Sequence, residues 1–415
     1  MKLLFVPWYY YIQFDIFYEI IKKAADKNKH RCFFIYSKKL NAADKSIDNF
    51  DIKRLRRDSS AQIIKLPLLF FKNSSDSNLK ICHRFFQILN SIILVFRIII
   101  LKPDCLIIGS SLGGLYIRLI QSLCLKLRIP VASLWLTKDK PDIKKYNRFV
   151  EKIFVKIGLD YVLNWNCNAA ENRNSVYMVS GESLKKHLLQ LGISAENIEI
   201  TGNPVFEKIL MKNKFVSSEK NKMECSVKKI IFFTEAIQEI YGMEYLKHSI
   251  KLIKKSMDDC NRNAVFIIRF HPREPENIRK IYKSVLTGEK YFFSDNEILL
   301  ENLIDSGFLS IGHFSAVLGM SIIHGKPAIS IDFTGNKKSF YDELNDDFLF
   351  AENSGTFTEK LNKLLSDPVY YEKACGICRK WVEINYTEFD CGSSEKCLNT
   401  IESFVIKKKN ECSNY

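Results

Sequence analysis

Residues 266–273 read FIIRFHPR. With Ala264 and Val265 in front, the run is rich in β-branched and aromatic residues, the composition of a buried strand. It meets His271 and Pro272 head on. Proline has no N–H to give to a sheet ladder, so the strand closes there. A titratable side chain is thereby set at the carboxyl end of a strand, which is where ligands bind in open α/β sheets.

The same grammar extends on both sides. Short apolar runs alternate with helical patterns, which indicates parallel strands joined by crossover helices. In the second half the predicted strands are KIIFFT (229–234), AVFIIRF (264–270), FLSIG (308–312) and PAISIDF (327–333). MEYLKHSIKLIKKSM, PENIRKIYKSVL and SAVLGMSIIHG supply the helices between and after them. In the first half the strands are KLLFVP (2–7), RCFFIYS (31–37), DCLIIG (104–109), IPVASLWL (129–136), YVLN (161–164), SVYMVSG (175–181) and IEITGNP (198–204). A polar, lysine-rich stretch at 211–228 lacks either period and reads as a linker. The expected architecture is α/β, with two Rossmann-like doubly wound domains facing a cleft. Their bounds are 1–210 and 229–385, followed by a C-terminal helix and tail at 386–415.

The chain has 415 residues and a formal net charge of +15, which favours anionic partners. No zinc-finger spacing, RNP signature or arginine stripe accompanies that charge, so nucleic acid is not expected. An anionic membrane face is a candidate peripheral partner. The start, MKLLFVPWYY, has an apolar run too short for a signal-peptide core and no small-residue cleavage site. The expected compartment is therefore cytoplasmic, at the inner face of the membrane if the basic surface docks there. The 12 cysteines then read as small buried apolar residues. Cys375 and Cys378 form a CxxC, but Cys391 and Cys397 are too far apart to complete a four-thiolate zinc site. The run 85–101, FFQILNSIILVFRIIIL, is long enough to raise a membrane span. Arg97 near its centre would cost roughly 2.5–3.5 kcal/mol there, which favours a buried helix feeding the next strand.

The chemistry-bearing residues cluster at predicted strand ends. His271 lies between Arg269 and Arg273, so a bound phosphate would offset two guanidiniums and accept from the imidazole. The plainer reading is a core histidine bonded to a carbonyl. In SIGHFSAVLGM (310–320), Ser315 is placed to cap a helix opening at Ala316, and free N–H groups at a helix start suit a phosphate. His313 would add a donor. Glu235, in FFTEAIQE, faces a ligand or simply begins a helix. In the first half, Ser111, Gly113 and Gly114 form a strand-to-helix turn that fits an acceptor. Asp139 follows a strand and is a candidate general base, or a surface loop residue.

Together these segments resemble the GT-B group of nucleotide-sugar-dependent glycosyltransferases and their relatives. The likeness rests on LLQLGISAENIEITGNPVFEKIL, KIIFFTEAIQE, FIIRFHPREPENI, LSIGHFSAVLGMSIIHGKPAISID and FDCGSSEKCLNTI, and it covers about 180–410. A His-Pro followed by a serine turn further resembles bacterial sialyltransferases and polysialyltransferases, and the capsule and teichoic-acid transferases. That implies His271, Pro272 and Ser315 at the nucleotide phosphate, and a CMP-activated, sialic-acid-like donor. The acceptor would be a surface glycan or its lipid-linked precursor. Transfer would be inverting and metal-independent, with no cofactor, the nucleotide sugar being a substrate. Two departures stand out. UDP-sugar members, UDP-N-acetylglucosamine 2-epimerase among them, place an acidic residue about five positions after the serine, where Met320 stands here. The acidic-acidic-glycine motif that carries the base in sialyltransferases is also missing. The alternatives are therefore a UDP-sugar 2-epimerase or hydrolase, or a polyol-phosphate transferase of the same fold.

Overall fold

The computed structural model describes residues 1–7, 10–39, 47–70, 92–109, 120–135, 174–210, 227–271, 274–294, 298–313, 316–335, 339–386 and 392–413, apart from single positions at 122, 125, 208, 236, 261, 262 and 345. The chain divides into two compact units, Met1–Glu207 with Asn385–Tyr415, and Lys208–Ile384. The segment from 386 onward, read from sequence as a helix and tail set apart, therefore belongs to the first unit.

Seven parallel strands build the first unit: β1 (Lys2–Val6), β2 (Arg31–Lys39), β3 (Gln62–Phe70), β4 (Cys105–Ile108), β5 (Val131–Trp135), β6 (Ser175–Val179) and β7 (Ile198–Ile200). Their order across the sheet is β3-β2-β1-β4-β5-β6-β7. β1, β4, β5 and β6 are central and apolar almost throughout because helices cover both faces of a parallel sheet. On one face lie α1 (Tyr10–Asp26) and α2 (Ile47–Asp58). On the other lies α3 (92–101), which ends where Lys102 takes a left-handed conformation and leads into β4. α4 (Glu182–Gln190) packs on Trp135, Tyr177 and Val179 through Leu184 and Leu188. No helix among the described residues is long and apolar enough to cross a membrane.

The second unit repeats the plan with β8 (Lys228–Phe233), β9 (Ala264–Arg269), β10 (Tyr291–Phe293), β11 (Leu309–Gly312), β12 (Ala328–Ile331) and β13 (Phe350–Ala351). Their order is β10-β9-β8-β11-β12-β13. Helices α5 (Met243–Asp258), α6 (Glu276–Val285), α7 (Leu300–Ser306), α8 (Ala316–Ile323), α9 (Ser354–Ser366) and α10 (Pro368–Asn385) complete it. α11 (Ser393–Ser413) returns to the first unit. One face of the second sheet presents Ile231 and Phe233 to Leu303, Ile304 and the side of Met320. On the other face Phe232 lies against Tyr282, with ring centroids 6.2 Å apart.

In both sheets the chain first winds outward from the founding strand, β1 or β8, then crosses to its other side. The direction of winding reverses between β1 and β4, and between β8 and β11. Such a switch point leaves a crevice beyond the carboxyl ends of the two strands, because their following loops turn away from each other.

The CxxC is part of the core. Cys378 is buried against the Tyr341 hydroxyl at 3.8 Å. Desolvation pushes the Cys375 thiol up to about 11 and the Cys378 thiol up to about 12, which keeps both protonated at neutral pH and poor as metal ligands. Among the described residues no group of three or more metal-ligating side chains comes together. Cys391 lies outside them.

Candidate functional site

Register decides which residues meet at the carboxyl edge of the second sheet. Phe233 pairs with Arg269 on one side and with Gly312 on the other. One step further along each strand stand Thr234, Phe270 and His313, followed by Glu235 and His271. Three loops thus deliver their first residues to one edge, on both sides of the switch point.

The closest-knit group there is Thr234, His271 and Glu274. The His271 N–H donates to Thr234 Oγ1 at 3.0 Å and to Glu274 Oε2 at 3.3 Å. Thr234 Oγ1 donates in turn to Glu274 Oε2. The Glu274 N–H closes back on the His271 carbonyl at 2.9 Å, an i to i+3 link. This explains the ending of FIIRFHPR. The strand stops because the chain turns back on itself, and the turn tucks a carboxylate under the His271 main chain.

Glu274 is 3% exposed, and its Oε1 has no hydrogen-bond partner. Burial raises its carboxyl to about 7, against the pull of Thr234, the His271 N–H and Arg279, with Glu235 adding repulsion. Tyr282, whose hydroxyl is also buried without a partner, feels both carboxylates. Phe270 seals the underside, stacked on Phe293 with centroids 5.6 Å apart. His271 itself is half-buried, as are Glu235 and Arg269.

Two residues expected at the phosphate can be placed. Arg269 was read as flanking His271 to meet a phosphate. Its guanidinium instead reaches along the β9–β10 edge, donating to Ser294 Oγ at 3.3 Å and to the Ile298 carbonyl at 3.0 Å. His313 was read as a phosphate donor. Its Nδ1 lies 3.1 Å from the Ile331 carbonyl, which can only accept, so Nδ1 carries the proton. Nε2, buried and without a hydrogen-bond partner, is then the lone-pair side of a neutral ring.

Desolvation lowers the His313 imidazole to about 4. The stability it contributes is therefore full above the ordinary value of 6.5 and is lost as pH falls toward about 4. An NMR titration of the His313 ring is expected to show its midpoint well below the ordinary histidine range. A midpoint near 6.5 would contradict the buried, carbonyl-bonded geometry.

Ala316 opens α8, directly after β11, as the capping argument requires. Met320 packs on the core, so no carboxylate stands at that turn. Ser315, Pro272 and Arg273 lie outside the described residues, as do Asp139, Ser111, Gly113 and Gly114. Thr234 and Glu274 were not picked out from sequence. The available signal was a threonine at a strand end and a carboxylate closing the turn three residues after the histidine.

No family model matches the chain, and no curated protein matches it. Solved structures do. UDP-GlcNAc 2-epimerase from Neisseria meningitidis, bound to UDP-GlcNAc, superposes with a TM-score of 0.58 at 16% identity, over 98% of this chain and 100% of that one. The UDP-GlcNAc 2-epimerase of Methanocaldococcus jannaschii, in complex with UDP-GlcNAc and UDP, gives 0.56 at 14%, over 98% and 100%. A glycosyltransferase from Rickettsia africae gives 0.56 at 12%, over 97% and 98%. At such identities the likeness establishes the fold: two α/β units of GT-B-like Rossmann type.

Proposed function

We propose that this protein acts on a nucleotide-activated sugar, binding its diphosphate at the carboxyl edge of the second sheet and letting the nucleotide leave there. One observation carries the reading. The turn that ends β9 is pinned by Thr234 and Glu274 so that His271 stands half-exposed beside the switch point. In this reading His271, the Ser315 hydroxyl and the N–H groups that begin at Ala316 hold the leaving phosphate. Glu235 faces the nucleotide and Asp139 is the candidate base.

The substrate we favour is a UDP-sugar, and the reaction is epimerisation at carbon 2, or hydrolysis. Support comes from epimerase structures that share this fold across nearly the whole chain. The first expectation, a CMP-activated donor and a glycan acceptor, becomes the second reading. Met320 favours it, because the acidic residue shared by UDP-sugar members is replaced there by an apolar side chain.

The two readings separate in one experiment. Inversion at carbon 2 requires its C–H bond to break and re-form, so UDP-N-acetylglucosamine incubated alone in deuterated water should return sugar carrying deuterium at that carbon. Transfer leaves that bond intact and consumes donor only when an acceptor is present. His271→Ala should lower either turnover by roughly 100-fold or more, the usual consequence of losing one preorganised donor to developing charge. Turnover near the native rate in that variant would remove the phosphate role from His271.

A further inference from the structure

Helix α3 is apolar on two sides. Leu94 and Ile98 are fully buried against Leu4, Val6, Leu106 and Ile108 of the first sheet. Ile92, Phe96, Ile99 and Ile100 are 46%, 61%, 45% and 71% exposed. At about 100° per residue these four form one stripe, roughly opposite the buried pair. The expectation of a buried helix thus holds for one face only. A contiguous outward apolar stripe is a different matter from scattered surface leucines, and it marks a contact site.

Among the described residues, the segments that pack with this helix on the same core carry cationic and neutral side chains. Arg97 on α3 and Lys102 directly after it are exposed. The helical residues next to it pack on the same core through Ile120 and Cys124. They then expose Leu127, at 43%, between Lys126 and Arg128. Neither 92–103 nor 120–130 contains an aspartate or glutamate. The next acid, Asp104, is already engaged by Lys409 and by the Lys2 N–H.

We infer that this face docks on an anionic lipid bilayer. Ile92, Phe96, Ile99 and Ile100 enter the boundary between headgroups and acyl chains, while Arg97, Lys102 and Arg128 meet the headgroup phosphates. A second copy of the chain is a poorer occupant. A two-fold contact would set this cationic rim against itself, and like charges across an interface oppose it. The inference stands apart from the reaction proposed above, because it uses no residue of that site.

The test is co-sedimentation of the full chain with phosphatidylcholine vesicles, with and without phosphatidylglycerol, at low and high salt. Binding is expected only with the anionic lipid and should fall with salt. Arg97→Gln and Lys102→Gln should each weaken partition about five-fold. The double variant Phe96→Ser, Ile100→Ser should lose most binding while keeping every basic residue and the native thermal midpoint, both side chains being exposed. Should that variant unfold early, the arginine and lysine variants decide alone. Failure of the native chain to bind, equal binding to neutral vesicles, or full binding by the serine variant each overturns the inference. So does a native dimer that the serine variant converts to monomer.

Discussion

A Glu274→Gln chain is expected to hold its stability through neutral pH, where the native protein loses stability. The native carboxyl is raised to about 7 in the fold, from an ordinary 4.5. A group raised in this way contributes stability that is full below the ordinary value and is lost as pH climbs through the folded one. At 1.36 kcal/mol per unit, the loss is about 3 kcal/mol between those limits. Glutamine stays neutral, keeps an oxygen for the Thr234 hydroxyl and has no such loss. The difference between variant and native should therefore grow in the variant's favour as pH rises from about 4.5 to 8. Parallel stability curves for the two proteins would show that Glu274 is not held in a dry environment. Alanine behaves differently. It leaves the Thr234 hydroxyl short of its carboxylate acceptor and the His271 N–H with Thr234 alone, which costs about 1–3 kcal/mol at any pH.

Catalysis should move the other way. Glu274 is too buried to touch substrate, and it acts by fixing the main chain of His271. Small displacements of a positioned group cost up to about 100-fold in rate, so kcat should fall in both variants with little change in KM. The pH–rate profile is therefore expected to show a limb near 7 set by the charge on Glu274, with Glu235, Arg279 and Tyr282 as the groups that face it. That limb should disappear in the glutamine variant. A purely structural role would lower the amount of folded protein but leave the limb in place.

What was legible in the sequence follows from where water was excluded. β1, β4, β5, β8, β9, β11 and β12 lie inside their sheets and read as apolar runs because both faces are covered. The strands that escaped notice, β3, β10 and β13, are all edges. β10 and β13 have three and two residues, too few for any pattern. β3 contains Pro67, which argues against a central strand and is tolerated at an edge. The site divides in the same way. His271 and Glu235 were visible because they follow strong strands. Glu274 was not, because a carboxylate in a Pro-rich turn looks solvated until tertiary packing closes over it. The partners of Arg269 could not be read either, because only the fold brings Ser294 and the Ile298 carbonyl to its guanidinium.

The C-terminal helix gives the largest expected effect on folding. Four side chains of α11, Cys397, Leu398, Ile401 and Val405, are fully buried. They join one cluster with Phe17, Ile21 and Leu3 from the opening of the chain. Their spacing, i, i+1, i+4 and i+8, is an amphipathic stripe that a Lys-rich ending disguises. Salt bridges from Glu395 to Lys23 and Lys27 lie beside them, but these are exposed and count for about 0–1 kcal/mol each. The apolar contacts decide. At about 1.5–3 kcal/mol for each buried side chain, the four together match the 5–15 kcal/mol that holds a whole domain. A chain stopped before Ser393 should therefore fail to protect residues 1–207 from protease at temperatures where the intact chain resists. Ile401→Ala, a gentler version, should cost about 2–5 kcal/mol and lower the unfolding midpoint of that unit. A truncated chain with undiminished protease resistance over 1–207 would mean that α11 lies on the first unit without completing its core.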